Sequence, residues 1–234
     1  MSKVIVIIPA LDEVEGIGKV LKEIPEGLVD EVVVVDNGST DGTADAARGL
    51  GATVICEPRR GYGYACLAGI RHVSSLPSSD DMVVVFLDGD HSDHPEEMPL
   101  LVRPVLEEGY DMVVGSRLAC GPAEDAMPAH SRLATVVVCK KLSILLHSHI
   151  TDLGPFRAFR FRALRSLDMS EPTYGWTVEM TIKAYRKGLK VKEVPVSYRR
   201  RVGKAKISGT AWSSMKALMS MTRCMVKYTI QQTP

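Results

Sequence analysis

No uninterrupted apolar stretch in this chain is long enough to cross a bilayer, and even the segment from Ala134 to Ile150 is broken by Lys140 and Lys141. CxxC spacing is also missing. With five cysteines, one is left over from any full pairing, so neither a zinc site nor a disulfide framework is indicated and a reducing compartment fits best. The opening MSKVIVIIPALDE has too short an apolar run for a secretory signal and reads as a first strand. Net charge is only +1 over 234 residues, and no nucleic-acid-binding motif occurs, which argues against a nucleic-acid partner. What remains is a globular chain, 45% hydrophobic and 24% charged, expected to be cytoplasmic and to meet a membrane only from its surface.

The near-zero charge conceals two opposed halves. Residues 1–120 hold 9 Lys+Arg and 21 Asp+Glu, a balance of −12, whereas residues 121–234 hold 20 and 7, a balance of +13. A cation site is expected in the first half and an anionic partner, phosphate or membrane surface, for the second.

Strand and helix signals alternate along the first half. Continuous apolar runs predict strands at Val4 to Ile8, Glu31 to Val35, Thr53 to Cys56, Met82 to Leu87 and Met112 to Val114. Helices are expected over Glu13 to Ile24, Ala44 to Leu50 and Gly61 to Val73. This rhythm implies an α/β fold with a mainly parallel sheet and helices on both faces. In the second half, Leu133 to His147 and Trp176 to Arg186 read as helices, and Phe156 to Arg160 and Lys190 to Tyr198 as strands.

Polar residues gather at the carboxyl ends of three of those strands, the edge where open α/β sheets bind ligands. Pro9, Ala10, Asp12 and Glu13 follow the first strand; Asp36, Asn37 and Gly38 follow the second; Asp88, Gly89 and Asp90 follow the fourth. Asp88 and Asp90 offer hard oxygens to Mg²⁺ or Mn²⁺, with Gly89 between them for close backbone approach. An acidic turn would have the same composition. The early-strand carboxylates suit a base or ribose while a metal pair handles a diphosphate, a division of labour expected of a nucleotide-sugar site. For Asp36 the competing role is a loop or cap residue, and for Glu13 it is a helix-dipole partner. Further on, Arg199 to Lys206 place five cations in eight residues, among them Arg201, Lys204 and Lys206, on a loop that can hold a diphosphate or a lipid phosphate, although a solvated basic loop would have the same composition.

The stretches VIIPALDE, VVVVDNGSTDGT, FLDGDHSDHPEE, VVGSR, TDLGPFRAFR, YGWTVEM and VKEVPVSYRRRVGKAKISGT, taken in order, resemble the successive motifs of family 2 glycosyltransferases. The branch most similar is that of dolichyl-phosphate mannose and glucose synthases. The resemblance implies a GT-A fold and inverting, metal-dependent transfer of a sugar from a nucleotide-diphosphate donor to a polyprenyl or dolichyl phosphate. Pro9, Ala10, Glu13 and Asp36 match nucleotide-binding positions, and Asp88 and Asp90 the metal-binding Asp-X-Asp. Ser116-Arg117 match a pair near the donor and acceptor phosphates. Asp152, Phe156 and Arg157 match an acceptor-side motif, and Glu179 a Glu in the following helix. By that match Asp90, Asp152 and Arg117 carry the reaction, and Arg117, Arg157 and the basic loop bind phosphate. Asp152 becomes a base only if the acceptor is a hydroxyl. Ser92 replaces the Gln that many mannose synthases carry at that position. The GTAWSSMKAL and YGWTVEM stretches lean towards a UDP-sugar over GDP-mannose. A soluble hydroxyl acceptor and a non-catalytic nucleotide-sugar binder are the alternatives. Phosphotransferases of the haloacid-dehalogenase kind carry their Asp-X-Asp on the first strand, where this chain has Pro9-Ala10.

A transferase unit over 1–206, split into a donor half (1–120) and an acceptor half (121–206), is expected to end in an amphipathic helix over 207–234. From Ser208 to Ile230, a stripe of Trp212, Met215, Met219, Thr222, Val226 and Ile230 recurs at helical spacing, with Lys216, Arg223 and Lys227 off it and no acidic residue. Such a helix lies on a membrane or a partner subunit, a second copy included, or it caps its own core.

Overall fold

A computed structural model of the chain describes residues 2–77, 79–119, 127–203 and 211–230, the last with side chains for 219–228. The elements alternate as the apolar runs predict, with α4 added to the expected set: β1 (Val4–Ala10), α1 (Val14–Glu23), β2 (Glu31–Asp36), α2 (Thr43–Gly49), β3 (Thr53–Cys56), α3 (Tyr62–Ser75), β4 (Val83–Phe86), α4 (Met98–Glu107), β5 (Met112–Ser116) and α5 (Ala129–Leu146). After them come β6 (Arg157–Arg160), α6 (Phe161–Ser166), α7 (Trp176–Arg186), β7 (Val191–Pro195) and α8 (Ala211–Ile230).

Among the described residues seven strands form one sheet in the order β3-β2-β1-β4-β6-β5-β7. Pairing is parallel except where β6 runs antiparallel between β4 and β5. Every residue of β1 and of β4 is buried, the result expected of strands covered on both faces. Ile5 and Ile7 face α3, α6 and α7, while Val4, Val6 and Ile8 face α1, α2 and α4. At ~1.5–3 kcal/mol for each large apolar side chain removed from water, these two layers hold the sheet that positions the site. Trp176 belongs to the first layer, 2% exposed, edge-on to Phe86 with ring centroids 6.3 Å apart. It is a core residue.

A third apolar cluster joins α5, α7 and α8 beyond the sheet, through Leu142, Ile182, Cys224 and Tyr228 among others. The face of α8 that packs inward therefore carries Cys224, Met225 and Tyr228, whereas Met219 and Val226 of the predicted stripe are 54% and 51% exposed. Stripe residues Trp212, Met215 and Ile230 fall outside the described side chains. Leu133, Val137 and Ile144 of α5 are likewise exposed, the last at 77%. Among the described residues no helix is long and apolar enough to cross a membrane.

Candidate active site at the carboxyl edge of the sheet

The loops after β1 and β2 are tied to each other by side-chain-to-backbone bonds. The Asp12 amide donates to Ser39 Oγ (2.9 Å), the Thr40 amide to Asp12 Oδ1 (2.7 Å), and the Glu13 amide to Thr43 Oγ1 (2.8 Å). Asp12 takes the left-handed conformation (φ 48°), which aspartate tolerates better than most residues. Asp36 accepts the Ser39 amide at 3.0 Å and so organises its own loop. Gly38 is held at φ +87°, a conformation suited to glycine, and its carbonyl accepts from Arg60 Nη2 at 2.9 Å.

Asn37 locks the second wall in place. Its amide group donates to the carbonyls of Glu57 (2.9 Å) and Arg59 (2.8 Å) and accepts from the Gly61 amide (2.8 Å). Beneath it the buried Glu57 pairs with Arg59 and Arg71, both at 2.8 Å, and hydrogen bonding to Arg59 chiefly holds its carboxyl down to about 2. A carboxylate held low contributes stability that is complete above its unfolded value and lost as pH falls through the folded one. Glu57→Gln should therefore lower stability by about 1–2 kcal/mol at pH 7, discounted because both arginines are more than half exposed, and by almost nothing at pH 2. Urea titrations at the two pH values measure the difference.

Beyond β4, Asp88 accepts from Tyr62 Oη at 3.1 Å and is pushed well above the usual carboxylate range, first by burial and then by Asp90 and Asp93. Asp90 Oδ1 takes the Ser92 amide at 2.9 Å, leaving Oδ2 towards the cleft, 3.4 Å from Arg201 Nη1. The adjoining His91 is left-handed at φ 61°. It is secured by Glu23 at 2.9 Å, and Glu23 also pairs with Arg199. Asp93, 1% exposed, has both carboxylate oxygens buried with no hydrogen-bond partner, and burial raises it to about 7. Burial is only partly offset by the Arg117 charge, so such a group is costly to leave without further positive charge.

Gly89 is not where glycine is most needed, since an added Cβ would make only ordinary contacts there, 3.4 Å from Ile8. The demand falls on Gly16 of α1, whose added Cβ would lie 2.7 Å from the Gly89 carbonyl and 3.1 Å from the Asp90 backbone. We expect Gly16→Ala to cost about 1–3 kcal/mol of stability and to weaken Mn²⁺ binding by displacing the Asp88–Asp90 turn. Denaturant titration checks the first and calorimetric metal titration of the folded variant the second.

Ser116-Arg117 end β5 on the opposite wall. Arg117 donates from its backbone amide and Nε to Asp152 Oδ2 and from Nη2 to Oδ1, all at 2.8 Å, and stacks over Tyr198 at 5.0 Å. The Asp152 side chain has no exposure; despite its burial, Arg117 holds its carboxyl below the usual range. A carboxylate gripped on both oxygens and held low is a poor proton acceptor, so the geometry suits Asp152 to fixing Arg117 rather than to base catalysis. Arg157 is 1% exposed, its Nε bonded to the Gly154 carbonyl at 2.6 Å and Nη1 to Thr181 at 3.2 Å, and burial lowers it to about 10. Phe156 is a core residue, and Glu179 is buried and collects the amides of Ser170 and Glu171 together with Lys183. Glu179 thus braces the segment whose Glu171 and Pro172 backbone lies against Gly61 and against Gly63 of α3.

A cleft of about 520 Å³ joins these parts. Of the sequence-predicted residues it is lined by Pro9, Ala10, Glu13, Asp88, Gly89, Asp90, Arg117 and Arg201, while Asp36, Gly38, Asp152 and Arg157 stand behind its walls. Lys204 and Lys206 lie outside the described residues. The lining also takes in Met127, Pro128, Ser131, Ala134 and Thr135 at the start of α5 and Met221 of α8. The donor set suits a hard divalent ion: two strand-end carboxylates, with the unpaired Asp93 behind them. Among the described residues, no cluster of three or more His, Cys, Asp or Glu side chains is spaced to hold an ion alone. A pair of carboxylates completed by substrate phosphate and water is the usual arrangement for Mg²⁺ at phosphate sites.

The model of the family described as glycosyl transferase family 2 matches residues 5–168. The chain belongs to that family. Among curated relatives of this transferase, an uncharacterised glycosyltransferase of Mycobacterium tuberculosis is 36% identical over 92% of this chain and 94% of its own. A dolichyl-phosphate hexose transferase of Haloferax volcanii is 33% identical over 86% and 85%. An undecaprenyl-phosphate mannosyltransferase of Micrococcus luteus is 32% identical over 88% of each. Among solved structures, the glucosyl-3-phosphoglycerate synthase of Mycobacterium tuberculosis, in complex with Mn²⁺, UDP and glucosyl-3-phosphoglycerate, superposes with a TM-score of 0.77 at 25% identity, covering 97% of this chain and 80% of that one. The fold is the GT-A fold that the motifs imply, and the chain is a glycosyltransferase.

Proposed function

We propose that this transferase moves a sugar, with inversion, from a UDP-sugar to a polyprenyl phosphate, and that it works at a membrane surface. The observation that carries this is the mixed lining of the cleft, in which the carboxylates and Arg117 share one cavity with Met127, Pro128 and Ala134 at the start of α5 and Met221 of α8. A water-soluble phosphate acceptor needs no apolar lining, whereas a phosphate on an isoprenoid chain uses both kinds of surface. The names of the Haloferax and Micrococcus relatives support a lipid-phosphate acceptor. The UDP and Mn²⁺ in the synthase support the donor and the ion. That synthase also favours a second reading, a small soluble phosphate acceptor, in which case the apolar part of the lining binds nothing.

In the proposed reaction Asp90 and Asp88 hold a divalent ion that, when bound, offsets negative charge on the departing nucleoside diphosphate. Glu13 and the backbone at Pro9 and Ala10 receive the nucleoside, with Asp36 and Asn37 shaping the loop beneath it. Arg117, stiffened by Asp152, orients the acceptor phosphate opposite the leaving group. A phosphate monoester is largely ionised near neutral pH, so it attacks without a protein base, and Asp152 need not accept a proton.

The outward faces of α5 and α8 supply the membrane contact. Leu133, Val137, Ile144, Met219 and Val226 lie exposed beside Lys140, Lys141, Arg223 and Lys227, and neither helix contains an acidic residue. Each basic residue near an anionic leaflet contributes about 1 kcal/mol. Flotation with anionic and neutral vesicles, together with Mn²⁺-dependent calorimetry of UDP against GDP, tests the proposal. Co-flotation with anionic vesicles only and tighter UDP binding are expected. A protein that stays in the soluble fraction at low salt, or that prefers GDP, contradicts the corresponding part.

A further inference from the structure

Arg201 reaches the carboxylate pair from a segment that is itself clamped. The Ser197 amide donates to Glu97 Oε2 (2.7 Å), the Arg199 amide to the Ser92 carbonyl (2.9 Å), Arg199 Nε to the His91 carbonyl (2.9 Å), and the Val202 amide to the Asp90 carbonyl (2.9 Å). Backbone on both sides of Arg201 is thereby fixed against the very loop that carries Asp90. What freedom remains belongs to the side chain.

That side chain runs inward. Nη2 donates to both oxygens of Glu13, at 2.8 and 3.0 Å, Nη1 stands 3.4 Å from Asp90 Oδ2, and Nε is buried without a hydrogen-bond partner. One oxygen of the expected metal ligand is therefore already faced by a cation. The arrangement is incomplete from the arginine's side, because a buried guanidinium N–H with no acceptor is costly. A diphosphate in the cleft would offer it oxygens in the planar, forked geometry that arginine fits best.

We propose, building on the metal reading of Asp90, that Arg201 gates the ion site: in the nucleotide-free protein its guanidinium competes with a divalent ion for Asp90, and the donor diphosphate draws it off, so that ion and nucleotide bind as a linked pair. Two cations on one carboxylate repel each other in a partly dehydrated site. Arriving alone, the ion must displace Arg201 with nothing to receive it; arriving with a diphosphate, it leaves Arg201 a new anionic partner. By reciprocity, UDP then raises Mn²⁺ affinity by the same factor by which Mn²⁺ raises UDP affinity. The transferase would be spared an occupied ion site while the donor is absent.

Mn²⁺ binding, followed by electron paramagnetic resonance of the free ion, tests this with and without UDP. In wild type, UDP should raise Mn²⁺ affinity by at least about tenfold, within the span common for linked sites. Arg201→Gln should bind Mn²⁺ about tenfold more tightly than wild type when no nucleotide is present, and UDP should then raise Mn²⁺ affinity by a smaller factor than in wild type, because only direct ligation by the diphosphate remains. Unchanged or weaker Mn²⁺ binding by folded Arg201→Gln overturns the gate. If that variant does not fold, wild type decides: equal Mn²⁺ affinity with and without UDP overturns it. Asp90→Asn reports separately on the underlying metal reading. Weak Mn²⁺ binding by Asp90→Asn together with unchanged binding by Arg201→Gln rejects the gate alone, whereas wild-type binding by Asp90→Asn rejects Asp90 as a ligand.

Discussion

Asp90→Asn is expected to fold as wild type does and to lose about two to three orders of magnitude of metal-dependent transfer, the equivalent of the several kcal/mol of charge stabilisation an ion supplies. Folding should survive because the amide keeps the shape of the carboxylate and its oxygen still accepts the Ser92 amide that now bonds Oδ1. The remaining oxygen, 3.4 Å from Arg201, is the one that changes character. Neutralising it also relieves repulsion on Asp88, whose carboxyl is raised by burial and by Asp90. Stability should therefore be unchanged or slightly higher, while Mn²⁺ binding falls. Activity within a factor of two of wild type would remove Asp90 from the reaction.

Asp152→Ala should do the opposite, striking the fold before the chemistry. Asp152 has no solvent exposure and takes three bonds from Arg117, itself only 13% exposed. Removing the carboxylate leaves Arg117 buried without its counter-charge, and breaking a buried pair in this way costs about 3–5 kcal/mol. Arg157, whose charged form Asp152 also supports, adds to the loss. Because the Asp152 carboxyl is held below its usual range, its contribution is complete above that range and declines only in acid. Denaturant titration at neutral pH should show the full loss. A stable but inactive variant with an altered pH–rate profile would instead identify Asp152 as a base.

The sheet was legible because its strands are written as continuous apolar runs: VIVII and VVVF admit few other readings once Gly- and Asp-rich turns bound them. The strand ends were legible for the same reason, and Asp88, Asp90, Glu13 and Arg117 do converge on one cleft. Helix α4 was not recognised, since Pro99 and Pro104 in MPLLVRPVLE break the usual helical pattern while its buried face holds it in place. The antiparallel sense of β6 depends on long-range pairing that no local signal records. Charge partners were the other blind spot. Glu13 with Arg201 are 188 residues apart, and Arg117 with Asp152 are 35 apart, so a sequence shows each group as a ligand candidate but not that another side chain already holds it. Asp93 was hidden for a related reason, because only burial distinguishes it from the other acids of DGDHSDHP.

The most direct measurement follows labelled glucose from UDP-glucose, with Mn²⁺, into vesicles that carry both polyprenyl phosphate and anionic lipid, with free 3-phosphoglycerate present as a competing acceptor. The label is predicted to enter the solvent-extractable lipid as a glucosyl phosphate of inverted anomeric configuration, and to stop doing so when EDTA removes the ion. Label appearing on the soluble acceptor, retained configuration, or transfer indifferent to EDTA would contradict the account of a metal-dependent, inverting transferase that serves a lipid phosphate.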